Sequence, residues 1–434
     1  MSPEIIQVNV RNPLVKVLLV FLLVLAGVWS YFAVNWYIGN TFAEYSDPTV
    51  TSLDVAHRSV AMSPNDPLTH WRMAQISQKN LPLDRQVEAI AEYEKAVSLS
   101  PNDYRFWMTL GTAYEQAGEP GKAEQALKRA VALAPSYAYP HWYLGNLLLR
   151  NARYDEAFAE LRRASEADSE FQPQQFNLIW QVYGNDHEGL KNAVGPDAAA
   201  RGAFALYLLS QKQFEEGLRI WDTLSSNEKK ANGVTADAII MSLKNDFKFH
   251  DAVKVWNDIV DERYRAQVDR VLDGGFEDAV EDGPQSIFGW QVKSDPQMQI
   301  GLDLGRKHGG TRSLRYVYEV RSNLEGVNVS QLVPVQPGKD YDFECYLSTD
   351  QLATGSPPQI DIYDPANNVV LVSSPAAPSG TNPWNRVGFS FKTAGNTEAV
   401  VIRIIRVSCD KEESPVCPIF GSIWYDDFSI KRRN

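Results

Sequence analysis

A period of 34 residues constrains the fold of this chain more than any other sequence feature. Leu110 and Gly111 recur as Leu144 and Gly145. A second set of residues, in the later half of each 34-residue period, recurs in three copies. These copies are Ala89, Tyr93, Ala96 and Pro101, then Ala123, Leu127, Ala130 and Pro135, then Ala157, Leu161 and Ala164. Self-similarity at this period predicts a stack of similar helical units. Proline ends a helix because it lacks a backbone N–H, and small residues let paired helices approach closely.

The window from Tyr104 to Tyr137 resembles the tetratricopeptide repeat, a pair of antiparallel helices. The resemblance rests on Trp107, Leu110, Gly111, Tyr114, Gly118, Ala123, Leu127, Ala130 and Pro135. It implies an all-α tetratricopeptide superhelix over residues 48–264, with strong repeats over 70–171 and degenerate repeats over 172–264. Asn and Asp of the phrase Ser-Pro-Asn-Asp, at 63–66 and again at 100–103, are good helix caps. Residues 48–63 are therefore predicted to form a half-repeat that packs directly against the exit of the membrane helix.

Stacked repeats of this family present an extended concave groove, and the resemblance implies that the groove binds a protein partner. Trp142 lies one position beyond the usual core tryptophan, so it either points into the groove or is buried by a slightly rotated helix. Arg105 and Arg150 are read either as solvated residues or as contacts to a peptide. The residues that the alignment places in the groove are Arg105, Met108, Thr112, Glu115, Tyr139, Trp142, Asn146, Leu149 and Arg150.

An apolar run near the N-terminus predicts a membrane anchor. Residues 17–34 carry no charge, and the length is enough to span a bilayer. Arg11 and Lys16 precede the run, whereas the first charges after it are acidic, so we predict a cytoplasmic segment (1–13), a transmembrane helix (14–38) and an external remainder. This is the arrangement of a single-pass protein of the bacterial inner membrane, with most of the chain in the periplasm. The alternatives are a signal peptide cleaved after Ala26 and a buried core helix.

After Tyr264 the helical period gives way to alternating apolar and polar residues between turns. Eight to ten short strands are predicted, which indicates a β-sandwich. Three motifs then follow in order: Asp-Gly-Gly-Phe-Glu (273–277), His-Gly-Gly-Thr-Arg-Ser-Leu (308–314) and Ile-Trp-Tyr-Asp-Asp-Phe (423–428). Together with Trp290 and Trp384, they resemble the jelly-roll carbohydrate-binding modules of families 4 and 9. The resemblance covers residues 267–432 and implies an all-β jelly-roll sandwich.

That resemblance also implies two kinds of site. Members commonly hold a structural calcium ion, and the matching carboxylates are Glu277 and Asp426, with backbone carbonyls near His308 and Gly309 as helpers. The other interpretation is that these carboxylates accept backbone hydrogen bonds. Members also stack sugar rings on aromatic side chains, while core packing is the competing role for each candidate. The candidates for glycan binding are Tyr316, Tyr318, Tyr346, Tyr363 and Trp424.

The chain has three cysteines. Cys409 and Cys417 flank a short loop and could close it as a disulfide in an oxidising compartment. Cys345 lies on an apolar face, where a free thiol behaves as a small hydrophobic residue.

Net charge and motifs exclude several classes of function. The formal charge of −12 makes nucleic acid an unfavourable partner. No phosphate loop, zinc-protease motif or nucleophile elbow occurs, and Asp426 and Asp427 are neighbours on a strand, so they point to opposite faces. We therefore expect no enzyme activity and no cofactor apart from the calcium ion.

The sequence thus favours a membrane-anchored extracytoplasmic scaffold. Its groove would hold a protein partner and its sandwich a glycan, in a machine that assembles or exports envelope polysaccharide. The alternative is a protein-interaction scaffold whose sandwich is purely structural and packs on the repeats near Trp256. In a third interpretation the sandwich targets a separate hydrolase.

Overall fold

The structure is a computed structural model that describes residues 12–48, 50–79, 86–278, 287–293, 295–320, 324–407, 409 and 416–433. It divides into two compact units, residues 1–196 and residues 197–434. The predicted cytoplasmic segment, residues 1–13, falls almost entirely outside the described residues.

The first unit begins with α1 (Pro13–Tyr45), a helix of 33 residues. Asn12 caps it by accepting a hydrogen bond from the Leu14 N–H at 3.0 Å, and Pro13 occupies a first-turn position where its missing donor costs nothing. The helix is long and apolar enough to cross a membrane. It contains the predicted span of 14–38 and continues for seven residues beyond it.

The end of α1 packs on the helices that follow, α2 (Leu53–Met62) and α3 (Pro67–Lys79). A side chain at Gly39 would force its neighbours to shift, because its Cβ would overlap the Ser63 hydroxyl and lie 2.9 Å from the Ser59 carbonyl oxygen. The Ser59 hydroxyl donates to the Gly39 carbonyl at 2.7 Å, and the Ser63 hydroxyl donates to the Trp36 carbonyl at 3.0 Å. The last turns of α1 thus serve as the partner helix of α2.

Three helix pairs carry the strong repeats, and glycine permits their close packing. A Cβ at Gly111 would lie 2.6 Å from the Leu127 Cγ, and one at Gly145 would lie 2.7 Å from the Leu161 Cγ. The described helices after α3 are α4 (Gln86–Leu99), α5 (Tyr104–Gln116), α6 (Pro120–Leu133), α7 (Ala138–Arg150), α8 (Tyr154–Ala167), α9 (Gln172–Tyr183) and α10 (His187–Val194), with a 3-10 turn at Ser169–Phe171.

The structure corrects the register of the first strong repeat. The Trp107 indole donates to the carbonyl six residues earlier at 2.9 Å, and the His70 and His141 rings make the same contact at 2.9 Å. These three residues are structurally equivalent, so the offset is 37 residues from His70 to Trp107 and 34 from Trp107 to His141. Counting 34 residues back from Tyr104 therefore misplaced the first helix of that repeat by three residues.

The second unit contains two further helix pairs and the β domain. Trp221 is fully buried in the helical part, and its indole N–H donates to Asp258 at 3.1 Å. The helices are α11 (Ala198–Ser210), α12 (Phe214–Asp222), α13 (Ser226–Ala231), α14 (Gly233–Asn245) and α15 (Phe249–Ile259), followed by a 3-10 turn at Glu262–Tyr264.

Among its described residues, the β domain is a sandwich of two antiparallel sheets of five strands each, in the orders β1-β4-β9-β6-β7 and β2-β3-β10-β5-β8. Inward-facing residues of both sheets form one apolar core, as period-2 alternation requires. The predicted fold class, an apolar helix followed by helical repeats and an antiparallel β domain, is confirmed. The strands are β1 (Trp290–Val292), β2 (Met298–Asp303), β3 (Ser313–Val320), β4 (Gly326–Pro334), β5 (Asp340–Thr354), β6 (Gln359–Asp364), β7 (Val369–Ser373), β8 (Gly380–Lys392), β9 (Ala399–Arg406) and β10 (Ile419–Arg432).

Candidate interaction surfaces

Side chains link the first helices of successive repeats and define a surface along α3, α5 and α7. The Trp71 indole on α3 donates to the Thr109 hydroxyl on α5 at 2.9 Å. The Gln78 amide donates to Gln116 at 2.5 Å, and Arg150 on α7 donates to Glu115 on α5 at 2.5 Å. We call this surface, with the predicted groove residues on it, the groove surface.

None of the nine predicted groove residues is buried. Tyr139 has 57% of its surface exposed, and Arg105 and Arg150 are also exposed. Trp142 is half-buried, with its ring 4.8 Å from that of Phe171, so it lies at the surface beside a neighbouring ring rather than in the core. The remaining half-buried residues are Met108, Thr112, Glu115, Asn146 and Leu149.

Both predicted groove arginines have intramolecular partners. Arg105 pairs with Asp103 at 2.6 Å, and this hydrogen bond, opposed by partial burial, raises the pKa of Arg105. Arg150 pairs with Glu115 at 2.5 Å. The groove surface therefore offers aromatic rings, amides and hydroxyls more readily than unpaired charge.

Sequence reasoning missed several residues of the groove surface. Phe171 contacts both predicted aromatics, with its ring 5.3 Å from Tyr139 and 4.8 Å from Trp142. It lies in the 3-10 turn after α8, outside the repeat pattern, so no periodic signal marks it. Trp71 and Gln78 are equivalent to Met108 and Glu115 at the offset of 37 residues, so applying the groove positions of the second repeat to the first would have found them.

In the sandwich, two predicted glycan-binding residues lie in the core. Tyr316 is 1% exposed and Tyr318 is 3% exposed, and their rings stack on each other at 5.7 Å. Both are inward-facing positions of β3. The prediction that a sugar ring stacks on either residue is therefore wrong, because neither face of these tyrosine rings is accessible.

The connection between β2 and β3, residues 304–312, covers two other candidates. The Arg306 guanidinium lies 4.3 Å from the Trp424 ring centre, and Trp424 is only 5% exposed. The His308 ring stacks on Tyr346 at 3.6 Å. We call residues 304–312 the covering loop, since it lies against the rings of both Trp424 and Tyr346.

Tyr363 lies on the other sheet and stays partly accessible. The Arg403 guanidinium lies 4.2 Å above its ring, and Arg403 also forms two hydrogen bonds to Asp361 at 2.6 and 2.7 Å. The Tyr363 hydroxyl donates to Asn368 at 2.6 Å. One ring face is thus taken by a cation that is itself anchored.

Replacing Arg306 by alanine is expected to uncover Trp424. Arg306 also donates to the Ser348 hydroxyl at 2.5 Å and to the Asn382 carbonyl at 3.2 Å. Loss of these hydrogen bonds and of the cation–π contact should lower the free energy of unfolding of the sandwich by about 2 kcal/mol. Hydroxyl-radical footprinting of the peptide containing Trp424 should show severalfold faster oxidation. Lys307→Ala, in the same loop, is the matched control, and equal oxidation in both variants would contradict the role of Arg306.

The two predicted calcium ligands contact donors of the covering loop. Asp426 accepts the backbone N–H groups of His308 at 2.8 Å and Gly309 at 3.1 Å, and burial raises its pKa. Glu277 accepts the N–H of Thr311 at 2.7 Å and also its hydroxyl, and the hydroxyl contact lowers the pKa of Glu277. The loop directs N–H groups at these oxygens where carbonyls were expected.

A calcium ion needs oxygen lone pairs, so this donor set does not fit it. The groups that face the carboxylate oxygens are N–H and O–H donors, so they would have to turn away before a cation could approach those oxygens. No cluster of three His, Cys, Asp or Glu side chains suited to a metal ion occurs among the residues that the structure describes. Calcium binding stays a prediction from the resemblance.

Helix α15 is joined to the sandwich inside the second unit. The His250 backbone N–H donates to Glu398 at 3.0 Å, and the His250 ring contacts the Val335 carbonyl at 2.9 Å. Asn257 exchanges two hydrogen bonds of 2.9 Å with the backbone of Ala266. Trp256 is 9% exposed and lies 6.3 Å from the ring of Phe288. The sandwich therefore packs on the last helix around Trp256.

Cys409 and Cys417 form a disulfide in the structure, and Cys345 is a buried free thiol. Residues 410–415, between the paired cysteines, lie outside the described residues. Beside the bridge, buried Arg406 donates to the carbonyls of Leu324 at 2.5 Å and Cys417 at 2.9 Å. Burial lowers the pKa of Arg406. The bridge and this arginine together fix the end of β9 against the start of β10.

Comparisons with known proteins identify the helical repeats. The tetratricopeptide repeat family matches residues 88–138. Small glutamine-rich tetratricopeptide repeat-containing protein 2 of Mycosarcoma maydis is 30% identical over 80 residues, which make up 18% of this chain and 23% of that protein. The chain thus covers about a quarter of that relative's length.

Two solved structures show only distant similarity. The crystal structure of MamA protein is 17% identical with a TM-score of 0.29, and the match covers 44% of this chain and 88% of that one. The CBM22-1 and GH10 modules of endo-1,4-β-D-xylanase 10B from Clostridium thermocellum, complexed with xylohexaose, are 12% identical with a TM-score of 0.26, covering 38% of this chain and 29% of that one. TM-scores below 0.5 support no conclusion about this chain.

Proposed function

Because the chain carries tetratricopeptide repeats next to an apolar helix, we propose that it is a membrane-anchored scaffold that binds a protein partner. We place the repeats on the external side of a bacterial inner membrane, from the charges around the span. The observation that carries the proposal is the groove surface. Trp71 on α3 hydrogen-bonds to α5, and the rings of Tyr139 and Trp142 on α7 contact the ring of Phe171. Such repeats present extended binding surfaces.

The partner segment that suits this surface is extended and rich in aromatic or aliphatic side chains. Aromatic residues dominate the binding energy of many protein interfaces. The arginines of the groove surface already pair with carboxylates, so a strongly charged segment would have to compete with those pairs. The Asn146 amide and the Thr112 hydroxyl each donate to a carbonyl of their own helix at 2.8 Å, which leaves their side-chain oxygens as acceptors for the backbone N–H groups of a peptide.

Selection from a displayed peptide library tests this proposal. We expect selected peptides to be rich in aromatic and aliphatic residues, and Trp142→Ala to weaken their binding by about 30-fold, as for an interface residue worth about 2 kcal/mol. Gln125→Ala, at an exposed position of α6, is the control and should bind as the unaltered protein does. Fluorescence polarisation gives the dissociation constants. Selection of charged peptides, or equal binding by Trp142→Ala and Gln125→Ala, would contradict the proposal.

For the sandwich we propose a structural role, which the packing around Trp256 supports. Glycan binding is the second candidate, favoured by the ring faces of Tyr346 and Tyr363 that are not fully covered. Calorimetric titration with envelope polysaccharides separates the two roles. Saturable heat that falls in Tyr363→Ala would establish glycan binding and support a part in polysaccharide assembly or export, whereas no heat from a folded protein would favour the structural role. We propose no catalytic role.

A further inference from the structure

A cleft lies between the outer end of α1 and the helix that packs on it. Its walls are aromatic residues of α1 and the last turns of α2, and its size of about 480 Å³ is within the range of small-molecule sites. Tyr31 and Phe32 are each 66% exposed and Trp36 is 54% exposed on the α1 side. The full lining is Tyr31, Phe32, Asn35, Trp36, Arg58, Ala61, Met62, Ser63, Pro64 and Asn65.

The position of the cleft along α1 places it at the membrane surface. From Lys16, the last charge before the apolar run, to Trp36 the helix rises about 30 Å at about 1.5 Å per residue, which is the thickness of the hydrocarbon core. Helix α2 runs back along α1, since Ser59 bonds to Gly39 and Ser63 bonds to Trp36. The turn after α2 therefore lies beside the outer leaflet, and the cleft opens toward lipid.

Arg58 is the cation of the cleft. It is exposed, and no hydrogen bond or ion pair links it to another residue within the described ranges. Two carboxylates lie near this joint, and neither forms an ion pair with Arg58 among the described residues. Asp66 accepts from Asn40 at 2.8 Å and from the Leu68 N–H at 2.9 Å, and Asp54 lies one turn earlier on α2.

We propose that this cleft binds one anionic phospholipid, with its phosphate on Arg58 and an acyl chain along Tyr31, Phe32 and Trp36. Aromatic rings at this depth favour the boundary between headgroup and acyl chain, and a basic residue near the surface attracts anionic lipid. The bound lipid would fill the space between α1 and α2 and hold the repeats at a fixed angle to the membrane. The inference rests on the proposed membrane anchoring.

Native mass spectrometry of the full chain tests the site. The protein is reconstituted into vesicles of phosphatidylglycerol and phosphatidylcholine in equal amounts, extracted in mild detergent, and its retained lipids are counted. We expect one retained phosphatidylglycerol, and about fivefold lower retention in Arg58→Ala, the factor equivalent to about 1 kcal/mol for one basic residue at an anionic surface. Arg58→Lys should restore most of the retention, and Arg129→Ala, an exposed arginine on α6, should leave it unchanged.

Two results would overturn the lipid site. Equal retention of both lipids would mean that no charge is recognised, and unchanged retention in Arg58→Ala would remove its phosphate ligand. Inorganic phosphate added during extraction should not displace the lipid, because it lacks the acyl chain. Failure of the anchoring itself appears separately, as release of the unaltered chain from membranes by alkaline carbonate.

Discussion

Replacing Gly274 by alanine is expected to unfold the sandwich. A Cβ at this position would lie 2.0 Å from the backbone carbonyl oxygen of Phe428, and the Phe428 N–H donates to the Gly274 carbonyl at 2.8 Å. The two backbones are thus in direct contact, and Phe428 lies at the register shift between Asp426 and Ser429 in the pairing of β10 with β5. We expect a loss of about 4 kcal/mol or more, at the upper end of single-residue effects.

Gly395→Ala is the control for this prediction. No atom lies within 4 Å of a Cβ at Gly395, so the extra methyl group would meet open space. Urea denaturation of both variants, followed by hydrogen exchange in peptides of β5 and β10, measures the effect on the sandwich alone. Similar unfolding midpoints for the two variants would show that the contact between Gly274 and Phe428 can relax.

Removing residues 1–46 is expected to have a larger effect on the repeats than removing residues 1–35, although both deletions remove the anchor. The longer deletion eliminates Gly39 and Ala43, whose carbonyls accept hydrogen bonds from Ser59 at 2.7 Å and Arg72 at 2.7 Å. It also eliminates Asn40, which donates to Asp66 at 2.8 Å. At about 1 kcal/mol for each hydrogen bond, α2 and α3 should lose at least tenfold in amide protection.

Cell fractionation and hydrogen exchange check the two deletions together. Both shortened proteins should move from the membrane to the soluble fraction, because the charge-free span is lost in each. Only the shorter deletion, which keeps residues 36–46, should preserve slow exchange in α2. Equal protection in the two proteins would mean that the end of α1 contributes nothing to the first helix pair.

The sequence predicted the helices well where small residues recur at a fixed period. Gly111 and Gly145 recur because each faces a leucine of the paired helix at a distance that excludes a side chain. The alternation on β3 likewise predicted strands, because one face of each strand must enter the core. These are local constraints, and a linear pattern records them.

Interactions between distant segments left weaker signals. His70 and His141 make the backbone contact that Trp107 makes, so a search for the expected tryptophan could not detect the offset of 37 residues. The glycan-binding prediction failed at Tyr316 and Tyr318 for a related reason. Alternation shows that they share a face, but only the packed sheets show that this face is the interior.

The sequence by itself therefore determined the order of the parts: an apolar helix with basic residues before it, a stack of helix pairs and an antiparallel sandwich. Hydrophobic period and composition are sufficient for this, because they fix local structure and which residues share a face. The sequence predicted that residues 48–63 pack against the exit of the membrane helix, but only the tertiary structure decided that the last turns of α1 are the partner helix of α2 and that Arg306 covers Trp424. Both arise from segments far apart in sequence meeting at close range, and no local pattern encodes such a meeting.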